Sequence, residues 1–254
     1  MKEIQYDNRD IISFCISTGD DNSIHDPQYM EPKSKRVIVP GMLTLTDILN
    51  NFPTDLKKTR SILANFGYAV SEGDIIRFDD EDISDVEKRI ITKAHDNPKK
   101  EDTHIFMNRE IPEIEYLGET HKKITFSPHQ AELFAKVLGT NITKESKFLY
   151  SLALSSRALL ESKEDLKLSD EKKLSDILGN KLPAYQSISI NLPKVFPDIH
   201  LGKQLNYYMS VSSEDEKHFQ FDIQCIQGLK EIYNGRYELL AVPEKLVMRM
   251  ARDL

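Results

Sequence analysis

Asp20 and His25 lie five residues apart in the segment FCISTGDDNSIHDPQYM (residues 14–30), and both are residue types that move protons in enzymes. Five residues is not a spacing that puts two side chains on one face of a helix. The apolar run before Gly19 predicts a helix that ends at this glycine, followed by a loop that turns both side chains toward one point. Such a pair can hold a water molecule and take a proton from it, and Asn22 can fix a partner by hydrogen bonding.

A backbone donor for a carbonyl oxygen is predicted nearby, at the start of the amphipathic helix GMLTLTDILNNF (residues 41–52). The N–H of Gly41 would be one of the unpaired donors at a helix N-terminus, where the helix dipole favours developing negative charge. Glycine also lets a ligand approach the backbone closely. An N–H aimed at a carbonyl oxygen is an oxyanion hole. Together these residues predict the addition of water to, or its loss from, a bond conjugated to a carbonyl group.

An ordinary turn without catalytic function would explain the same residues. The sequence Gly-Asp-Asp-Asn is common turn chemistry, and Asp26-Pro27 is a common turn opener. From the residues alone, both interpretations of this loop stay open.

The two halves of the chain resemble each other. KEIQYDNRDIISFCISTG, from Lys2, aligns without a gap on KKITFSPHQAELFAKVLG, from Lys122, at an offset of 120 residues. Each half then predicts a short strand, a helix that ends in glycine, a longer helix and several strands separated by turn signals. A charged segment, residues 169–180, predicts an additional surface helix in the second half. The fold class predicted is α+β, with two units of residues 1–118 and 119–254, each a helix followed by an antiparallel sheet.

Composition limits the compartments and partners. The 254 residues carry a net charge of −7, which argues against nucleic acid and anionic membranes as default partners. No secretory signal or membrane-length apolar run is visible, and Cys15 and Cys225 are expected to be reduced thiols, so a cytoplasmic location is expected. The histidines other than His25 show no metal-ligand spacing, and the acidic run of residues 79–85 is expected to be a solvated loop.

The segment around the Asp/His pair resembles the motif of the MaoC-like dehydratases, a family that includes the (R)-specific enoyl-CoA hydratases. The motif runs from an aromatic residue through Ser/Thr-Gly-Asp-x-Asn-Pro-aliphatic-His to a Gly-Met-Leu helix start. The residues that fall on it in order are Phe14, Thr18, Gly19, Asp20, Asn22, Ile24, His25, Gly41, Met42 and Leu43. The resemblance implies a hot-dog fold, a helix wrapped by an antiparallel sheet, and the repeat implies two such units packed as a pseudo-dimer.

The resemblance also implies roles for the site residues. Asp20 and His25 would activate the water and carry the proton, Asn22 would support them, and the Gly41 N–H would polarise a thioester carbonyl. Met42 would contact the substrate, an acyl thioester of coenzyme A or acyl carrier protein, and no cofactor or metal is implied. Lys35 and Arg36 could meet the phosphates of the carrier, although a solvated basic loop explains them equally well.

Two departures from the motif bear on activity. Ser23 replaces the usual proline, and Pro40 stands where the family usually has a histidine. At the offset of 120, Thr140 and Glu145 replace Asp20 and His25, so one active site per chain is expected, with walls from both halves and room for longer acyl groups. A hot-dog thioesterase and a non-catalytic acyl-binding or assembly subunit are the alternatives, and further pairing into a homodimer is left open.

Overall fold

The computed structural model describes residues 1–34, 36–93, 102–112, 114, 120–166, 173–179, 181–215 and 217–247. The first half contributes the strands β1 (Lys2–Gln5), β2 (Ser61–Asn65), β3 (Ile75–Asp82), β4 (Lys88–Lys93) and β5 (Thr103–Met107). Its helices are α1 (Asn8–Thr18), α2 (Pro27–Ser34), α3 (Gly41–Asn50) and α4 (Pro53–Lys58), with one turn of 3-10 helix at Ser23–His25.

The second half repeats the strands and two of the helices of this series. Its strands are β6 (Thr120–Thr125), β7 (Lys181–Asn191), β8 (Gln204–Glu214), β9 (His218–Gln227) and β10 (Lys230–Pro243). Its helices are α5 (Pro128–Val137), α6 (Lys144–Ser162) and α7 (Leu174–Leu178).

All these strands join one antiparallel sheet in the order β1-β3-β4-β5-β2-β7-β10-β9-β8-β6. Numbered within its own half, each set of strands follows the order 1-3-4-5-2 from its outer edge to the centre. The halves meet where β2 pairs with β7, with Ile62 opposite Ile190 and Ala64 opposite Ile188. These four side chains are buried, so the seam between the halves is part of the hydrophobic core.

Two helices fill the concave side of the sheet. In α3, every residue from Met42 to Leu49 is buried, and α3 packs against the longer α6. Several serines of α6 are compatible with this burial because their hydroxyls donate to carbonyls of their own helix, for example Ser151 to Phe148 and Ser162 to Ala158. This arrangement, a helix wrapped by an antiparallel sheet in each half, is the double hot-dog fold.

The predicted order of a short strand, a helix that ends near glycine, a core helix and several strands is confirmed in each half, but α3, with ten residues, is not longer than α1, with eleven, and α2 and α4 were not predicted. Gly19 follows α1 with φ 72°, and Gly139 follows α5 with φ 62°, as the glycine stop signals predicted. The described part of the charged segment is α7, which ends before Gly179. The boundary between residues 118 and 119 and the predicted start of the charged helix at residue 169 lie outside the described residues.

Two sequence interpretations were wrong in detail. Asp26-Pro27 begins helix α2 rather than a simple turn, because proline fits the first helical turn and the Asp26 carboxylate accepts the Gln28 N–H at 2.9 Å. The acidic run is a strand as far as Asp82, because β4 places Arg89 opposite Glu81 and Lys88 opposite Asp82.

One further finding concerns membranes. Among the described helices, none combines the length and the apolar character that crossing a bilayer would require.

Candidate active site

The end of α1 sets the position of the loop that carries Asp20 and His25. Gly19 adopts the left-handed conformation, and its N–H donates to the Cys15 carbonyl at 2.7 Å. A Cβ on Gly19 would lie 2.9 Å from Cδ of Arg157, a residue of α6 in the second half. Glycine therefore serves both the turn and the close approach of the second half.

Two side chains of the loop shape its backbone. The Asp20 carboxylate accepts the N–H of Asn22 at 3.1 Å. Asn22 in turn caps the 3-10 turn, since its side-chain oxygen accepts the N–H of Ile24 at 3.5 Å. Asn22 thus supports the site by fixing the path of the chain between Asp20 and His25.

His25 is held in one tautomer. Its side chain is buried, and its Nδ1 lies 2.6 Å from the carbonyl oxygen of Ile38. A carbonyl oxygen can only accept, so Nδ1 must donate the proton of this hydrogen bond. The neutral ring then leaves Nε2 unprotonated, which is the state required of a general base.

Gly41 begins α3 on the opposite side of the loop. Pro40 precedes it and has no side-chain group that could cap the helix, so the N-cap residue supplies no partner for the N–H groups of the first turn. A Cβ on Gly41 would lie 3.6 Å from ring carbons of both Phe66 and Tyr185. The glycine therefore leaves free space between two aromatic rings, at the point where the helix dipole is positive.

The four residues predicted to act together line one cavity of about 400 Å³. Asp20, Asn22 and His25 come from the loop, and Gly41 and the buried Met42 come from the start of α3. Most of the remaining lining is apolar, and much of it comes from the second half, including Leu159, Tyr185 and Leu239. The chemistry-bearing side chains therefore face an apolar chamber that both halves build.

A second cavity, of about 460 Å³, adjoins the first. The two share six lining residues: Asn22, Leu159, Leu160, Pro183, Leu239 and Leu240. The second cavity lies between the loop, with Asp21 and Ser23, and helix α7, with Leu174 and Leu178.

The structure describes only one of the two residues that were predicted to contact the phosphates of the carrier. Arg36 donates to the Glu72 carbonyl and forms an ion pair with Asp74, and it does not line the 400 Å³ cavity. Lys35 lies outside the described residues. Both stay predictions as phosphate contacts.

The second-half counterparts of the pair serve other purposes. Glu145, which takes the place of His25, is buried in the first turn of α6 and forms an ion pair with Lys57 at 2.6 Å. Thr140, in the place of Asp20, donates its N–H to the Ala135 carbonyl as α5 ends. Neither residue lines the cavity, so the two halves differ at these positions in structure as well as in sequence.

Sequence reasoning missed two hydroxyl groups in the cavity wall. Ser156 of α6 and Tyr185 of β7 both line the cavity, and their hydroxyl oxygens lie 2.7 Å apart. Nothing local in the sequence marks either residue, because the pairing of β2 with β7 and the packing of α6 bring them to the loop. The thiol of Cys15, close to the same loop, is a poor nucleophile, since burial and the nearby Asp20 and Asp26 raise its pKa.

Comparison with known proteins finds similarity in structure rather than in sequence. No family model matches the sequence, and no curated protein matches it significantly. A solved structure named MaoC-like dehydratase superposes with a TM-score of 0.59 at 10% identity, over 94% of this chain and 95% of that chain. A MaoC-like dehydratase from Phytophthora capsici gives a TM-score of 0.59 at 11% identity, over 96% and 94% of the two chains.

Thioesterases share the fold as well. An acyl-CoA thioesterase II from Mycobacterium marinum superposes with a TM-score of 0.51 at 13% identity, over 83% of this chain and 93% of that chain. The chain therefore has the double hot-dog fold that MaoC-like dehydratases and acyl-CoA thioesterases share.

Proposed function

We propose that this chain catalyses the reversible addition of water to trans-2-enoyl thioesters, giving (R)-3-hydroxyacyl thioesters. One observation carries the proposal: Asp20, His25, whose Nδ1 is held by the Ile38 carbonyl, and the start of α3 at Gly41 line a single, mostly apolar cavity. A proton-moving pair beside a backbone donor suits the chemistry of a conjugated thioester.

Each group has its own role in the reaction. The Gly41 N–H donates to the thioester carbonyl oxygen, where negative charge develops as the electron pair of the C2=C3 bond moves toward the carbonyl. The water oxygen bonds to C3, and Asp20 and His25 take one of its protons. The pair then returns a proton to C2, so that the elements of water are added and the pair is restored. Dehydration is the same path in reverse.

The substrate class follows from the shape of the cavity. An apolar chamber next to polar groups suits an acyl chain that ends in a thioester. The solved relatives of this fold include acyl-CoA enzymes, which supports coenzyme A esters as the first substrates to test. Acyl carrier protein is the second carrier to test.

Thioester hydrolysis is the competing function, because an acyl-CoA thioesterase II shares the fold. It would use the same carboxylate and water, but the water would attack the carbonyl carbon and release a thiol. The hydrogen bond that leaves His25 Nε2 as a base serves either reaction, so the products decide between them.

The test is an assay with crotonyl-CoA and a longer trans-2-enoyl-CoA, following the loss of conjugated thioester absorbance and the release of free thiol in parallel. Asp20→Asn and His25→Ala should each lower hydration by roughly 10²–10⁴-fold, the range of general acid–base catalysis. Asp26→Asn, which keeps a capping side chain at α2, and His129→Ala, exposed on α5, are matched controls expected to keep the wild-type rate.

Each result has a distinct meaning. Hydration that is lost in the two test variants and kept in the two controls supports the proposal. Thiol release without hydration indicates the thioesterase. If neither coenzyme A ester turns over, the same assay with enoyl-acyl carrier protein separates an enzyme of carrier-bound substrates from a non-catalytic acyl-binding subunit.

A further inference from the structure

Two tyrosine–serine pairs link α6 to the sheet side by side. The Tyr237 hydroxyl of β10 lies 2.8 Å from the Ser155 hydroxyl, and the Tyr185 hydroxyl of β7 lies 2.7 Å from the Ser156 hydroxyl. The pairs have the same chemistry and use consecutive residues of one helix. They differ in location, because only Ser156 and Tyr185 line the 400 Å³ cavity.

The pairs also differ in how their protons are used. Ser155 donates to the Leu152 carbonyl at 2.5 Å, so toward Tyr237 it can only accept, and each hydroxyl of this pair has an acceptor for its proton within the protein. Ser156 has no such bond to its own helix. The hydrogen bond between Ser156 and Tyr185 uses one of two hydroxyl protons, and none of the described residues accepts the other. One proton of the cavity pair is therefore available to whatever occupies the cavity.

The cavity pair lies next to the loop that carries Asp20. Arg157 follows Ser156 in α6, and Gly19 precedes Asp20 in the loop. The Arg157 side chain lies so close to Gly19 that a Cβ on the glycine would be 2.9 Å from its Cδ. The Tyr150 hydroxyl of α6 also donates to the Ser17 carbonyl of α1 at 2.7 Å, which fixes α6 against the end of α1. Burial raises the pKa of Tyr185, and the charge of Asp20 adds to this rise, so Tyr185 keeps its proton and can act only as a donor or acceptor.

We propose, resting on the hydration reaction proposed above, that the Ser156–Tyr185 pair donates a hydrogen bond to the oxygen atom that moves between water and C3 of the substrate. In hydration this bond orients the water that Asp20 and His25 deprotonate. In dehydration it stabilises the negative charge that develops on the departing hydroxyl before this oxygen receives its proton. The second half, which lacks its own Asp/His pair, thereby contributes a catalytic group to the first.

The test compares the two pairs. The double variant Tyr185→Phe/Ser156→Ala removes the free proton whichever hydroxyl carries it. Its matched control, Tyr237→Phe/Ser155→Ala, removes the same atoms from the pair outside the cavity. We expect the first to lower kcat for crotonyl-CoA hydration about tenfold, the value of one hydrogen bond made in the transition state, with KM unchanged. We expect the control to keep kcat, and the thermal unfolding of both variants shows whether any loss is one of folding.

The outcomes separate the inference from the function on which it rests. Unchanged kcat in the cavity variant, or equal losses in both pairs, would overturn the inference while an active wild type upholds the hydratase. A wild type without hydration overturns both. If the double variant does not fold, the single changes Tyr185→Phe and Ser156→Ala decide: loss of the hydroxyl that carries the free proton leaves a donor only at the other oxygen, 2.7 Å away, so one of them should lower kcat, and an unchanged kcat in both would overturn the inference.

Discussion

Asp47 lies on the buried face of α3, and its carboxylate accepts a hydrogen bond from the Tyr6 hydroxyl at 3.0 Å. Burial raises the pKa of Asp47 to about 6, although the bond from Tyr6 lowers it in part. The unfolded chain binds this proton with the ordinary pKa of about 3.9. Between about pH 4 and pH 6 the folded state therefore holds more protons, so stability falls as pH rises through this range, and the loss is complete above pH 6.

Replacing this carboxylate should stabilise the protein at neutral pH. Asp47→Asn keeps an acceptor for Tyr6 and removes the buried charge, so we expect the free energy of unfolding to rise by about 3 kcal/mol at pH 8 and to change little at pH 4. Urea unfolding across this pH range measures the difference. Asp74→Asn provides the contrast, because it removes one partner of the ion pair with Arg36 and should destabilise the fold. A gain for Asp47→Asn that does not depend on pH would contradict the explanation.

At the scale of elements, the helix ends at Gly19 and Gly139 can be compared directly, because they share a conformation and differ in their surroundings. Both glycines have positive φ, 72° and 62°, but a Cβ would meet Arg157 at Gly19 and nothing within 4 Å at Gly139. Alanine at either position should cost about 1–2 kcal/mol of stability through the left-handed conformation alone. Only Gly19→Ala should also displace Arg157 and the Asp20 loop.

We therefore expect Gly19→Ala to lower kcat for hydration several-fold and Gly139→Ala to leave it unchanged. Urea unfolding gives the stability of each variant, and steady-state kinetics gives the rate. Equal rates in the two variants would show that the contact between Arg157 and Gly19 does not help to position the loop.

Local signals explain which elements the sequence could predict. Helix ends were visible because caps and stops act within a few residues, such as the Asp7 side chain that accepts two backbone N–H groups of α1 and Gly19 that ends the same helix. The acidic end of β3, residues 79–82, was not visible as a strand, because its charges are neutralised across the sheet by Lys88 and Arg89. The pairing of Arg36 with Asp74, 38 residues later, was hidden for the same reason.

The residues of the candidate site also divide into those that a local pattern marks and those that long-range packing brings in. Asp20, Asn22, His25 and Gly41 lie within one stretch of chain, so their spacing carried the prediction that they meet. Ser156 and Tyr185 reach the cavity only because the halves pack together. Long-range pairing of strands leaves no local pattern in either residue, so these two hydroxyl groups of the second half could be found only in the folded chain, although walls from both halves were predicted.

At the scale of the whole molecule, the two halves of the repeat contribute different kinds of residues to the cavity. The central pairing of β2 with β7 places the apolar residues of the second half opposite the Asp/His loop of the first. Glu145, at the position equivalent to His25, now pairs with Lys57 of α4 and so joins α6 to the first half. Under the proposed function, a half that lacks the Asp/His pair can use its side of the cavity for the acyl chain.

The two adjoining cavities make this division testable with substrate length. Leu178 of α7 lines the 460 Å³ cavity and not the 400 Å³ cavity. If a long acyl chain passes from the first cavity into the second, Leu178→Phe should block its end and lower kcat/KM for a long trans-2-enoyl-CoA by roughly tenfold or more, the value of one or more displaced methylene groups. Crotonyl-CoA is too short to reach α7 and should be hydrated at the wild-type rate. Val195→Phe, at a position 81% exposed, controls for the added ring. Equal losses for both chain lengths would mean that the substitution disturbs the whole site, and an unchanged kcat/KM for the long ester would place its chain elsewhere.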